Sequence, residues 1–172
     1  AGPGVEAAGE AAGELDAARA AVGRMVSRDT ATLDQQQVAA AATESVLENG
    51  NDAVFGALFW FALLGAPGAL AYRLANTLDA MWGYRGRFEW AGKWAARADD
   101  VLSWLPARLT GLWLHGRLGA LRAEARRTPS PNGGWPMGAM ALRLGLRLSK
   151  PGAYVLNPTG RSPDGVDVAR AL

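Results

Sequence analysis

AVFGALFWFALLGAPGALAY, residues 53–72, contains no charged side chain across 20 positions. That length, at helical rise, matches the hydrocarbon thickness of a bilayer. Gly65, Pro67 and Gly68 interrupt it, so a straight spanning helix is one of several outcomes. A kinked span, a re-entrant pair of half helices and a hairpin buried in a soluble protein satisfy the same composition. Phe59, Trp60 and Phe61 make the first half bulky. The run favours contact with a membrane. Arg73, immediately beyond it, suits a cytoplasmic flank.

Outward toward the C-terminus, residues 76–108 read NTLDAMWGYRGRFEWAGKWAARADDVLSWLPAR. Asp79, Asp99 and Asp100 stand among Arg85, Arg87, Arg97 and Arg108, with Arg73 just before them. Trp82, Tyr84, Trp90, Trp94 and Trp104 are interleaved. Charges of both signs between apolar segments need partners, either one another or a charged ligand. A loop held by structural ion pairs is the plainer reading. Outward toward the N-terminus, Glu44, Glu48 and Asp52 are spaced by four. On a helix they stack on one face and repel by a few tenths of a kcal/mol per pair. A hard cation such as Mg²⁺ would remove that repulsion; a solvated acidic face is the alternative, and Gly50 offers a place for the helix to break.

Residues 1–13 are Gly-rich and read as a loose segment, followed by a helix from Glu14 to Met25. Asp29 or Thr30 suits the cap of the next helix, with Asp34 in its first turn and the helix running from Gln35 to Glu48. Val101 to Leu121 is apolar but broken by Pro106, Arg108, His115 and Arg117. It reads as a helix on a membrane surface or inside a bundle. His115, the single histidine, suits a structural place better than a catalytic one. Arg117, Arg122, Arg126 and Arg127 form a basic flank. TPSPNGGWP, residues 128–136, is irregular by its prolines and glycines, with Ser130 and Asn132 as polar groups. A helix from Pro136 to about Leu148 would point its first amides at that loop, where an anion could sit. From Lys150 onward, KPGAYVLNPTGRSPDG reads as loop with a short last helix at best, residues 155–172 forming a C-terminal loop and short tail.

The chain's 172 residues fit one domain, 49% hydrophobic and poor in β-branched runs. The fold class is therefore all-α: a helical, membrane-associated bundle with long polar loops. A net charge of +2 and a pI near 9.4 give no stripe of one sign, so nucleic acid is not expected. No cysteine is present, which excludes thiolate chemistry and disulfides. The chain begins with Ala, and its first residues lack a signal peptide's pattern, so the true N-terminus is expected upstream. No G-x-x-x-x-G-K-[ST] loop, dinucleotide fingerprint or G-x-S-x-G elbow occurs.

GRMVSRDTATLD (23–34), ESVLENGNDAVFGALFW (44–60), GAPGALAYRLANTLDAMWGYR (65–85), WAARADDVLSWLPARLT (94–110), SPNGGWPMGAMA (130–141) and KPGAY (150–154) follow one another in this order. Together they resemble the CobD/CbiB family, the cobalamin-biosynthesis membrane proteins called adenosylcobinamide-phosphate synthases. The resemblance covers residues 14–154, a domain that would be incomplete at its N-terminus. Gly50-Asn51-Asp52-Ala53 stands where the family usually has a Thr-Ser-Asp-Gly-like run, and Ser103 where it often has Asn.

The resemblance implies amide formation in vitamin B12 synthesis, joining adenosylcobyric acid to aminopropanol or its phosphate. ATP and Mg²⁺ are the implied cofactors and the corrinoid a substrate. It implies a multi-pass protein of the cell membrane, in contact with lipid and with other cobalamin-pathway enzymes as possible partners. On the motif positions, Glu48, Asp79 and Asp99 are the expected catalytic residues, with Asp99 or Glu48 taking the amine's proton. Glu44, Asp52 and Asp100 are the expected metal ligands. Arg28, Arg97 and Arg108 would clamp phosphate. Asn49, Asn76, Ser130 and Asn132 would orient substrate, and Trp135 would stack near the corrin. A membrane CDP-alcohol phosphotransferase and a non-catalytic helical membrane subunit are the rival classes.

Overall fold

The computed structural model describes residues 3–26, 29–82 and 89–171. Arg28, named above as a phosphate clamp, lies outside them, as do Tyr84, Arg85 and Arg87. Helix α1 spans Pro3–Gly23, so it takes in most of the stretch expected to be loose. The helix-forming Ala and Glu residues there outweigh the glycines. Helix α2 spans Gln35–Gly50, and its cap is Asp34 rather than Asp29 or Thr30. The Asp34 carboxylate accepts the Gln37 amide at 2.8 Å, while the Gln37 side chain accepts the Asp34 amide at 2.9 Å. This reciprocal box satisfies two donors that the helix start leaves open.

Gly50 does not break the helix. A π-helical turn over Asn51–Phe55 carries it into α3, Gly56–Trp82. Within α3 the backbone turns at Gly65, with φ 66° and ψ −155°. That region is open essentially to glycine alone. Pro67 then sits in the first turn of the second arm, where its missing N–H costs nothing. The chain folds back on itself. A side chain at Gly68 would lie 2.6 Å from the Trp60 carbonyl oxygen, and one at Gly56 would overlap the Tyr72 ring. The two contacts are four residues apart on each arm, one turn of helix. One further turn away from the tip, Asp52 comes opposite Asn76.

Residues 53–72 therefore form a helical hairpin that reverses at Gly65, not a straight helix. By length and composition the stretch is apolar enough to cross a membrane. Within this run, however, the part before Gly65 reaches about 18 Å and the part after it about 10 Å at 1.5 Å per residue, each short of a hydrocarbon core of about 30 Å. The hairpin buries little of itself: Leu58, Phe61, Leu64 and Leu70 are all more than half exposed.

Helix α4, Glu89–His115, runs beside the second arm. The Trp60 indole donates to the Leu102 carbonyl at 3.0 Å, and the Tyr72 and Ser103 hydroxyls share a buried bond at 3.1 Å. Helix α5 spans Leu118–Ala125 and α6 spans Gly134–Leu144, starting two residues before Pro136 and ending four before Leu148. Gly145 closes α6 in the left-handed conformation. The segment read as loop contains an antiparallel hairpin, β1 (Leu148–Lys150) with β2 (Tyr154–Leu156), and a last helix α7, Gly165–Ala171. Leu47, Met137, Met140, Leu146, Leu148 and Leu156 form the principal core, with α6 at its centre. Buried Asp167 fixes α7 by accepting both Arg161 η nitrogens at 2.6 Å.

Candidate functional site

Opposite the hairpin tip, the π-turn, the base of α3, the middle of α4 and the 128–136 loop enclose a cavity of about 510 Å³. Four aspartates from three segments line it: Asp52, Asp79, Asp99 and Asp100. Glu48 and Asn49 close one side, Ser130 and Asn132 another, and Asn76 lies between. Arg73 is the one cationic side chain among the described residues that line it.

Hydrogen bonds fix the polar lining. The Asn76 amide donates to Asp99 at 3.3 Å and its oxygen accepts from Arg73 at 3.0 Å. The Asn51 amide donates to Asp52 at 2.9 Å. Asn132, 5% exposed, donates to the Asp100 carbonyl at 2.9 Å and to the Asp100 carboxylate at 3.4 Å. Arg108 holds Asn132 from behind, donating to its Oδ1 at 3.2 Å and to the Trp104 carbonyl at 2.6 Å. Its guanidinium lies 4.1 Å from the Trp104 ring centre and 4.9 Å from that of Trp135. This stacking suits a planar cation. The Ser130 hydroxyl accepts the Gly133 amide at 3.0 Å and the Asn132 amide at 3.3 Å, so those loop amides are bonded within the loop.

Electrostatics set the cavity's preference. Burial, then the charge of Asp52, raises the Asp99 carboxyl to about 6, and Asp79 and Asp100 add to the rise against the bond from Asn76. Burial and the charge of Asp79 also raise Asp100. Burial is the larger cause of both shifts, and the part due to neighbouring carboxylates is repulsion that a bound cation would relieve. Among the described residues no three carboxylates converge on one point as a ready-made metal site. Mg²⁺ does not require one, since it is commonly held by one or two carboxylates with waters and substrate phosphates. The carboxylates of Asp52, Asp79, Asp99 and Asp100 are oxygen donors of the type Mg²⁺ takes.

Of the residues named from the sequence, Glu48, Asn49, Asp52, Asn76, Asp79, Asp99, Asp100, Ser130 and Asn132 meet in this cavity. Glu44 does not line it; it is 3% exposed and faces a neighbouring recess with Arg24, Ser45 and Lys150. Glu48 and Asn49 line both spaces. Arg108 and Trp135 stand behind the cavity wall, Trp135 packed against Ala107, Leu121 and Ala139. Arg97 is exposed on α4 and lines none of it. Arg73, Thr77 and Ser103 line the cavity without having been singled out as site residues. Their signal was positional: Arg73, Asn76, Thr77 and Ala80 follow helical spacing and share one face.

An acidic, partly enclosed cavity beneath an apolar hairpin defines the class: a helical protein with a carboxylate-lined site. The model of the family described as CobD/Cbib protein matches residues 3–171, and the chain belongs to that family. The match extends past residues 14–154 on both sides. A protein of Chromobacterium violaceum named cobalamin biosynthesis protein CobD is 54% identical over 154 residues, 84% of this chain and 48% of that protein. One of Stutzerimonas stutzeri with the same name is 54% identical over 148 residues, 82% of this chain and 49% of its own length. A probable cobalamin biosynthesis protein CobD of Methanothermobacter thermautotrophicus is 41% identical over 180 residues, covering 98% of this chain and 60% of that protein. The chain thus spans about half the length of the curated relatives it matches. No solved structure matches it.

Proposed function

We propose that the polypeptide carrying this chain acts in cobalamin biosynthesis by forming an amide between adenosylcobyric acid and aminopropanol or its phosphate. The observation that carries this reading is the meeting of Asp52, Asp79, Asp99 and Asp100 with Asn76, Asn132 and Arg73 around one cavity. A carboxylate resists attack by an amine until one oxygen becomes a leaving group, and that is the chemistry ATP and Mg²⁺ supply when bound. The chain's own residues supply the rest. The aspartates hold the cation or the substrate's ammonium; Asn76 and Asn132, each fixed by hydrogen bonds, orient the polar groups.

As the amine nitrogen bonds to the acyl carbon, it must give up a proton. Asp99, with its carboxyl raised to about 6, is ionised at neutral pH and basic enough to accept it. Glu48, open to solvent at the mouth, can pass a proton outward. Arg73 is the side chain placed to meet a phosphate within the cavity. Arg108 keeps the loop that carries Asn132 in position, and through it the wall of the site.

The test is turnover by the complete purified protein given adenosylcobyric acid, aminopropanol phosphate and MgATP. Amide product is expected, and Asp79→Asn and Asp99→Asn are expected to abolish most of it. Turnover of a CDP-alcohol instead, or full amide formation by both variants, would contradict the assignment.

A further inference from the structure

A second cavity lies on the other side of the π-turn and has the opposite electrostatic character. It measures about 710 Å³, and its walls are mainly apolar, with Phe55, Trp113 and Met140 among them. No carboxylate lines it among the described residues, whereas the guanidinium-bearing Arg143 and Arg170 do. Both arginines are exposed. Arg143 donates one bond to the Leu114 carbonyl at 3.3 Å, which leaves donors of its fork to spare. Arg170 lies 3.7 Å from Asp167, a carboxylate already gripped through both oxygens by Arg161.

The wall also holds a buried polar atom that lacks a partner. Asn51 is 2% exposed and lines the cavity; its amide nitrogen is bonded to Asp52, but its Oδ1 has no hydrogen-bond partner among the described residues. Buried acceptors are rarely left so, and this one calls for a donor from a ligand. Through Phe55, Thr110 and Trp113 the cavity opens into an apolar trench lined by Leu58, Phe59 and Leu109 between α3 and α4.

We propose that this cavity binds a single anionic phospholipid whose headgroup carries a hydroxyl. The phosphate sits between Arg143 and Arg170, the headgroup hydroxyl donates to Asn51 Oδ1, and an acyl chain follows the trench along the hairpin. An apolar body, two guanidinium groups in its wall and an orphaned acceptor match those three parts of one molecule. The inference rests on the reading that the hairpin meets a membrane. It adds a lipid site on the face opposite the acidic cavity, with Asn51 and Asp52 as adjacent residues looking into the two spaces.

The complete polypeptide in neutral detergent, titrated with dihexanoyl-phosphatidylglycerol, dihexanoyl-phosphatidylcholine and inorganic phosphate by calorimetry, tests it. Short-chain lipids below their micelle concentration make the result independent of bilayer insertion, and amide formation is measured separately. Phosphatidylglycerol is expected to bind at least tenfold more tightly than either alternative. R143Q/R170Q, changed only at exposed side chains, is expected to lose at least tenfold of that affinity, as is Asn51→Leu. Equal binding of the two lipids, equally tight binding of phosphate alone, or wild-type affinity in both variants would overturn the proposal.

Discussion

A carboxyl raised to about 6 by burial and by three neighbouring acids makes Asp99 the side chain through which pH acts on this cavity. The folded chain holds that proton more tightly than the unfolded chain, where the ordinary value is 3.8. Stability therefore falls as pH rises from 3.8 to about 6, and stays at the lower level above. A divalent cation pairs with the ionised form, so Mg²⁺ is expected to raise the melting temperature more at pH 8 than at pH 5. Equal shifts at both values would contradict a cation site in the cavity. Asp99→Asn keeps the oxygen that accepts from Asn76 and removes the charge. It should raise the melting temperature at pH 8 while lowering amide formation about a hundredfold or more, the range for losing a general base. The carboxylates and amides were legible in the sequence because each belongs to a polar run between apolar ones. Trp135 was not: an aromatic ring beside Asn132 reads equally as a stacking surface or as core, and here it is core beneath a guanidinium. Glu44 shows the same limit, since four-residue spacing puts it on the face of Glu48 but does not say where the cavity wall ends.

Gly65 decides the element that matters most. Its φ of 66° and ψ of −155° let the chain reverse, and a side chain there would strain the turn whatever the space around it. Gly65→Ala is expected to cost about 1–3 kcal/mol, read as a shifted denaturation midpoint. An unchanged midpoint would mean that the turn is not formed. At the start of α2, Asp34→Ala should cost about 1 kcal/mol, since it removes the box with Gln37. The apolar composition of residues 53–72 left a kinked span and a hairpin equally open, and Gly65, Pro67 and Gly68 marked where either would bend. What composition could not supply was the pairing of Gly68 with the Trp60 backbone, which selects a hairpin over a straight or kinked helix. The strands Leu148–Lys150 and Tyr154–Leu156 were hidden for another reason. Each has three residues, too few for alternation to register, around a Pro-Gly turn that reads as loop.

Across the whole molecule, the reversal at Gly65 links the apolar surface to the chemistry. It sends both arms outward as one lightly buried apolar projection and brings Asp52 beside Asn76 and Asp79, with Asp99 and Asp100 supplied by α4. A straight crossing would carry Asp52 and Asp79 to opposite ends and leave no cavity. The absence of cysteine from residues 1–172 makes this open to direct measurement, because introduced thiols are the only ones in this stretch. Ala53→Cys/Ala75→Cys, spin-labelled and measured by pulsed electron resonance in lipid nanodiscs, reports the separation of the two arms' open ends. The account predicts a distance below about 25 Å, labels included, whereas an uninterrupted helix of about 1.5 Å per residue would place the backbones about 33 Å apart and contradict it.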